Sequence, residues 1–121
     1  RGQGMTEITV KAAYGSVVED EGSLFIGFAA GEDADEGYVL FRQDLGGSPI
    51  WFEASDETFG AEDAIEAVVA GPKGFEVTIR ASRRAAFGFA AAVAVRVGPA
   101  CEDGAEALAA LKGMLGPLWR D

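Results

Sequence analysis

The stretch "GFAAGEDADEGYVLFRQD", residues 27–44, decides how this chain is read. Two apolar runs flank a seven-residue insert bounded by Gly31 and Gly37. The insert carries Glu32, Asp33, Asp35 and Glu36 and no base. If the flanks are strands, the insert is the loop that joins them, and its acids are either a metal loop, a catalytic pair or an acidic face.

The flanks do read as strands. In "SLFIGFAA" (23–30), Leu24, Ile26 and Phe28 share a face, and Gly27 marks a close approach or a bulge. "YVLFR" (38–42) is five consecutive strand formers, expected to be covered on both faces for part of its length. Upstream, "ITVKAAY" (8–14) alternates with period 2, and "EDEG" (19–22) turns the chain. Downstream, "QDLGGSP" (43–49) is a turn by composition. "IWFEA" (50–54) follows as a strand with Ile50 and Phe52 on one side, Trp51 and Glu53 on the other. Residues 55–63 read as a polar loop. "AIEAVVA" (64–70) and "FEVTIR" (75–80) are strands around the tight turn "GPKG".

Residues 81–89 are ambiguous, one helical turn broken at Gly88. "AAAVAVRV" (90–97) is a seventh strand by the period-2 recurrence of Val93, Val95 and Val97, stopped by Gly98-Pro99. "DGAEALAALKGMLGP" (103–117) is a helix. Asp103 and Glu106 have capping-box spacing, Leu108, Leu111 and Leu115 form one stripe, and Gly116-Pro117 ends it. The fold class predicted is α+β: an antiparallel meander of about seven strands, curved, packed by one C-terminal α-helix.

The chain has 121 residues, 49% of them apolar, which suits one globular domain spanning 5–121. "RGQG" ahead of Met5 reads as an expression-tag remnant. No signal peptide follows Met5. The longest uncharged apolar run, "AAFGFAAAVAV", falls well short of the roughly 20 residues a membrane span needs. A soluble, cytoplasmic protein with no membrane partner is the expectation.

There is no histidine and one cysteine, Cys101. That excludes Ser-His-Asp and Cys-His catalysis within the chain, a cysteine zinc site and an internal disulfide. Cys101 reads as a small buried filler. Net charge is −10. Residues 1–66 hold 15 acids and 3 bases, whereas residues 67–121 hold 5 acids and 7 bases. Such a field repels nucleic acid and speeds the approach of a basic protein.

Specific chemistries fail one by one. The insert is out of register for an EF-hand, because counting from Asp33 places Gly37 fifth instead of sixth. "GPKG" lacks P-loop spacing, and no glycine stands two places after Ser48 to make a nucleophile elbow. The pair Arg83-Arg84 reads as solubilising charge. Glu53 at a strand end, with Asp56, Glu57, Glu62 and Asp63 in the loop after it, supplies the candidate carboxylate pairs for acid–base work, but solvated acids are their ordinary reading. Tyr38 and Trp51 would become interface anchors beside those acids if one sheet face were partly open.

The order of "SLFIGFA", an acidic insert, "YVLFRQ", "IWFEASDETFG", "AIEAV" and "FEVTIR", over about residues 16–97, resembles the bacterial immunity protein 10 family. The chain departs from that pattern at Asp56-Glu57, where the family has Asp-Gln, which weakens any role carried onto that position. The resemblance implies no catalytic residue. It implies a protein of a polymorphic toxin system that binds and neutralises a cognate toxin. On that expectation the partner is a basic toxin, and the contact residues are Glu32, Asp33, Asp35, Glu36, Tyr38, Trp51, Asp56, Glu57, Glu62 and Asp63. No cofactor, metal or catalysis is expected. The alternative is a small-molecule-binding domain, or a carboxylate enzyme with two of Glu53, Asp56, Glu66 and Glu76 converging in a pocket of the curved sheet. A homodimer through exposed strand edges is a further option.

Overall fold

The fold is taken from a computed structural model of the chain, which describes residues 7–121. The proposed tag remnant, residues 1–4, lies outside the described residues. Among the described residues nine strands form one sheet: β1 (Glu7–Asp20), β2 (Ser23–Ala29), β3 (Tyr38–Asp44), β4 (Trp51–Ala54), β5 (Gly60–Glu62), β6 (Ile65–Gly71), β7 (Gly74–Ile79), β8 (Ala92–Glu102) and β9 (Trp119–Arg120). One α-helix, α1 (Gly104–Leu115), lies between β8 and β9.

The expected α+β class and the C-terminal helix are both present; the connectivity differs. Strand order is β5-β4-β3-β2-β1-β8-β7-β6-β9. Two antiparallel meanders therefore meet at β1, which pairs with β8 in parallel, and β9 pairs with β6 in parallel. The sheet is mixed and open, with nine strands instead of about seven. The two extra strands, β5 and β9, hold three and two residues, too few to show a period.

β1 joins the meanders by changing partner along its length. Residues 7–12 pair with β8, and residues 14–20 pair with β2. The turn into β2 has positive φ at both Glu21 and Gly22 (51° and 81°), as a two-residue type I′ hairpin requires. Gly98-Pro99 does not end β8. Val97 pairs with Ala12 and Glu102 with Tyr14, so five steps on β8 oppose two on β1. Glycine and proline sit inside that bulge, where a missing N–H is tolerated.

The sheet is rolled. β2 and β7 lie three strands apart, about 14 Å on a flat sheet, yet the Phe28 and Phe75 ring centroids are 5.2 Å apart. Phe41 on β3 reaches Phe75 at 6.2 Å. Curling brings the concave faces of both meanders into one core, with Val39, Phe52, Val68, Val77 and Val93 inaccessible to solvent.

Helix α1 closes this core with Ala107, Leu111 and Leu115, while Leu108 of the expected stripe is half-buried. It passes so close to β1 that a methyl group on Gly15 would lie 2.9 Å from both Ala107 Cβ and Asp103 O. The expected capping box is absent: Asp103 has φ 58° and its side chain caps nothing. Cys101 is only partly buried; burial, then the Asp103 charge, push its thiol up, away from reactivity.

The ambiguous segment forms a 3-10 run, Ala81–Phe87, ended by Gly88 at φ 62°. Phe87 is buried, 5.6 Å from Phe52 and 5.8 Å from Phe59. Arg83 Nε donates to the Glu62 carbonyl at 3.0 Å, so this segment covers the outer edge of β5.

Candidate functional site

Alternation along β3 and β4 sends Val39, Phe41, Phe52 and Ala54 into the core. It sends Tyr38, Leu40, Arg42, Trp51 and Glu53 to the convex face. The register sets Leu40 opposite Glu53 and Arg42 opposite Trp51. Among the described residues Glu53 is the one buried charged side chain, 7% exposed. Both its oxygens are engaged. The Tyr38 hydroxyl donates to Oε2 in a short hydrogen bond, and Trp51 Nε1–H donates to Oε1 at 2.7 Å. The Arg42 guanidinium lies 5.6 Å from the Trp51 ring centre.

A glycine makes room for this cluster. Gly60 on β5 pairs with Glu53, and a methyl group there would stand 2.7 Å from Glu53 Cβ and 2.9 Å from Trp51 Cζ2. Burial, the hydrogen bond to Glu53, the Glu53 charge and then the charges of Asp56 and Glu57 raise the Tyr38 phenol far above the ordinary tyrosine value. Tyr38 therefore stays a hydrogen-bond donor at all physiological pH.

Beyond Tyr38 the strands end in two acidic loops. Ser55, at φ 66°, donates its N–H to the Tyr38 carbonyl at 2.9 Å, which ties the β4–β5 turn to the start of β3. Asp56 accepts from the Thr58 hydroxyl at 2.7 Å and its N–H at 2.8 Å, and these bonds hold its carboxyl below the usual range. Asp35, Tyr38, Leu40, Glu53, Asp56 and Glu57 line an open groove of about 460 Å³. Glu32, Asp33 and Glu36 line a neighbouring one of about 480 Å³ beside Tyr14. Glu36 folds back over Gly31 and accepts the Asp33 N–H at 3.3 Å, so it secures the insert on itself.

The ten residues singled out in the sequence are thus brought together in part. The insert acids, Tyr38, Asp56 and Glu57 share one end of the β2–β5 meander. Glu62 and Asp63 do not join them: Glu62 pairs with Trp51, and the Asp63 N–H bonds the Ile50 carbonyl at 3.0 Å, at the opposite end. Asp63 Oδ1 also lies 3.6 Å from Arg80 Nε. Asp44 and the Glu19–Glu21 turn stand at that second end too, because Asp44 pairs with Ser23. Glu66 and Glu76, on β6 and β7, do not line the groove of Glu53 and Asp56.

Sequence reasoning did not identify Glu53 as a buried hub or Gly60 as its clearance. Trp51 and Glu53, two apart on a strand, were visible as neighbours; that Tyr38 reaches Glu53 depends on the β3–β4 register. Among the described residues no cluster of three or more Cys, Asp or Glu is placed to hold a metal ion, and no helix is long and apolar enough to cross a membrane. No protein-family model, curated protein or solved structure matches this chain.

Proposed function

We propose that this protein is an immunity protein of the non-catalytic kind, which binds and neutralises a cognate bacterial toxin through its acidic convex surface. The observation that carries the reading is the state of Glu53. It is the acid best placed for chemistry in the groove, yet both its oxygens are occupied by donors from Tyr38 and Trp51. A carboxylate held this way braces the two aromatic side chains, while Asp35, Asp56 and Glu57 around it remain exposed. Aromatic contacts ringed by solvated acids suit a basic protein partner. The resemblance of the motif order to the immunity protein 10 family supports the same role.

The binding partner the test calls for is a basic toxin domain, to be sought in the reading frames beside this gene. The triple variant Asp35→Asn, Asp56→Asn, Glu57→Gln should slow association at low salt by about tenfold or more and flatten its salt dependence. Glu62→Gln, at the other end of the meander, should leave the rate nearly unchanged. Equal rates for the triple variant and the parent protein at low salt would remove this surface from the interface.

A small-molecule site is the second reading, favoured because Glu53 and Asp56 line one groove. It requires a small ligand to occupy that groove and perturb the fluorescence of Trp51. Neutralisation of the toxin by protein free of any such ligand would set it aside.

A further inference from the structure

Gly27 stands within β2 on the convex face, and nothing in the fold requires a glycine there. Its φ lies outside the left-handed region. The register runs through it without a bulge, with Ser16 on one side and Leu40 on the other. A methyl group at that position would crowd only the Ser16 hydroxyl, at 2.9 Å, and that side chain can rotate aside. Glycine inside a strand costs stability and often marks a place where another group approaches closely. What it leaves here is a notch of about 230 Å³. Gly27 and Ala29 form its floor, and Tyr14, Ser16, Tyr38 and Leu40 stand around it.

Two walls of the notch are aromatic. Tyr14 on β1 and Tyr38 on β3 both pair with Ala29, so their Cα atoms lie two strand spacings apart, about 10 Å. Tyr14 is 38% exposed. Tyr38 is held from the β4 side by Glu53, which fixes its ring without closing the notch. Each wall also belongs to one of the acidic grooves. Tyr14 lines that of Glu32, Asp33 and Glu36, while Tyr38 and Leu40 line that of Asp35, Asp56 and Glu57. A largely apolar slot therefore opens at both sides onto exposed carboxylates. Residues 12–72 contain fourteen acids and a single base, Arg42, whose guanidinium is engaged over the Trp51 ring. Such a field draws a cation to the slot.

Aromatic walls, an apolar floor and carboxylates beyond them select among cations. An arginine satisfies all three: its methylene stem can lie on Gly27 and Ala29, its planar head stacks on a tyrosine ring, and its remaining N–H groups fork onto carboxylates. We infer that the notch above Gly27 receives an arginine side chain of a basic protein partner, held between Tyr14 and Tyr38 and paired at its tip with the acids of a flanking groove. The inference deepens the toxin-binding proposal, on which it rests for the class of partner, and it places the anchor of the interface on β1–β3.

Titration of the isotope-labelled full chain with acetyl-Gly-Arg-Gly-amide at low salt, followed by amide chemical shifts, tests it with no toxin present. The Gly27 and Ala29 amides should shift saturably. The citrulline peptide, alike in shape but uncharged, should bind about fivefold more weakly or worse. Tyr14→Leu, an exposed change that keeps apolar bulk and removes the ring, should weaken arginine binding by about two- to fivefold. The double variant Ser16→Ala, Gly27→Val fills the notch and should abolish the Ala29 shift with the far-ultraviolet dichroism unchanged; if it fails to fold, Tyr14→Leu decides. No saturable shift at Gly27 and Ala29 overturns the inference, as do shifts confined to the acidic loops, equal binding of the citrulline peptide, or parental affinity in Tyr14→Leu. Toxin capture is read separately, by association rate. If the peptide fills the notch while the triple carboxylate variant meets the toxin at the parental rate, the toxin-binding proposal fails alone. A slow triple variant with a notch that ignores the peptide refutes this inference alone.

Discussion

Glu53 is a charged side chain in a buried position, which is costly unless both oxygens find donors. Tyr38 and Trp51 are those donors, so each aromatic has a structural task beside any contact it makes with a partner. Tyr38→Phe keeps the ring and removes one donor from Glu53. It should lower stability by about 1–2 kcal/mol at neutral pH, read from urea unfolding. The pH dependence follows from the raised phenol. As pH climbs past the ordinary tyrosine value of about 10, the unfolded chain releases this proton before the native protein does. Stability from the protonated Tyr38 is full below that pH and is lost as pH rises toward the higher native value. The gap between the parent protein and Tyr38→Phe should therefore be narrower at about pH 11 than at about pH 8. A gap that widens with pH would contradict the bond to Glu53. The sequence displayed Trp51 and Glu53 on one face through simple alternation. It could not display Tyr38 as the third member, since fifteen residues and a strand register separate Tyr38 from Glu53.

The start of α1 separates a local sequence rule from what the tertiary structure imposes. Asp103 and Glu106 have the spacing of a capping box, but Asp103 sits at φ 58° where its carboxylate cannot reach the first-turn N–H groups. The cause is the close approach of β1: Gly15 lies against Asp103 and Ala107, and the chain must bend sharply out of the β8 bulge to reach that contact. Asp103→Gly should then raise stability by about 0.5–1 kcal/mol, because glycine accepts the left-handed angle that aspartate is forced into. A true N-cap would lose stability on the same change, so thermal melts of this one variant separate the two geometries. Similar physics divides what was legible among the strands. Period-2 runs such as "FEVTIR" reveal their strand and their buried face because one side chain in two meets the core. β5 and β9 escape because two or three residues carry no period. The continuation of β8 past Gly98-Pro99 escapes because the bulge is stabilised by β1, more than 80 residues away in the chain.

Parallel pairing of β1 with β8 has a consequence for the molecule as a unit. A simple meander could lose one end while the other stays folded, since each strand touches only its chain neighbours. Here β1 gives its first half to β8 and its second half to β2, so neither meander is complete without it. The roll adds a second link, because Phe28 and Phe41 from one meander pack against Phe75 from the other. Helix α1 adds a third, as Leu111 and Leu115 lie in that shared core and the Trp119 ring, just beyond the helix, packs tilted against Phe75 with centroids 6.1 Å apart. Opening either half exposes apolar surface of both, which makes partial unfolding unfavourable relative to global unfolding. The two tryptophans report on this directly: Trp51 lies on β4 and Trp119 on β9, in opposite meanders. Urea titrations of Trp51→Phe and Trp119→Phe, each followed by its remaining tryptophan and by far-ultraviolet dichroism, should give coincident curves within each variant. Trp51→Phe should have the lower midpoint, having lost the indole donor to Glu53. If instead the fluorescence and dichroism transitions separate within one variant, the meanders unfold independently, and the shared aromatic core is too weak to couple them.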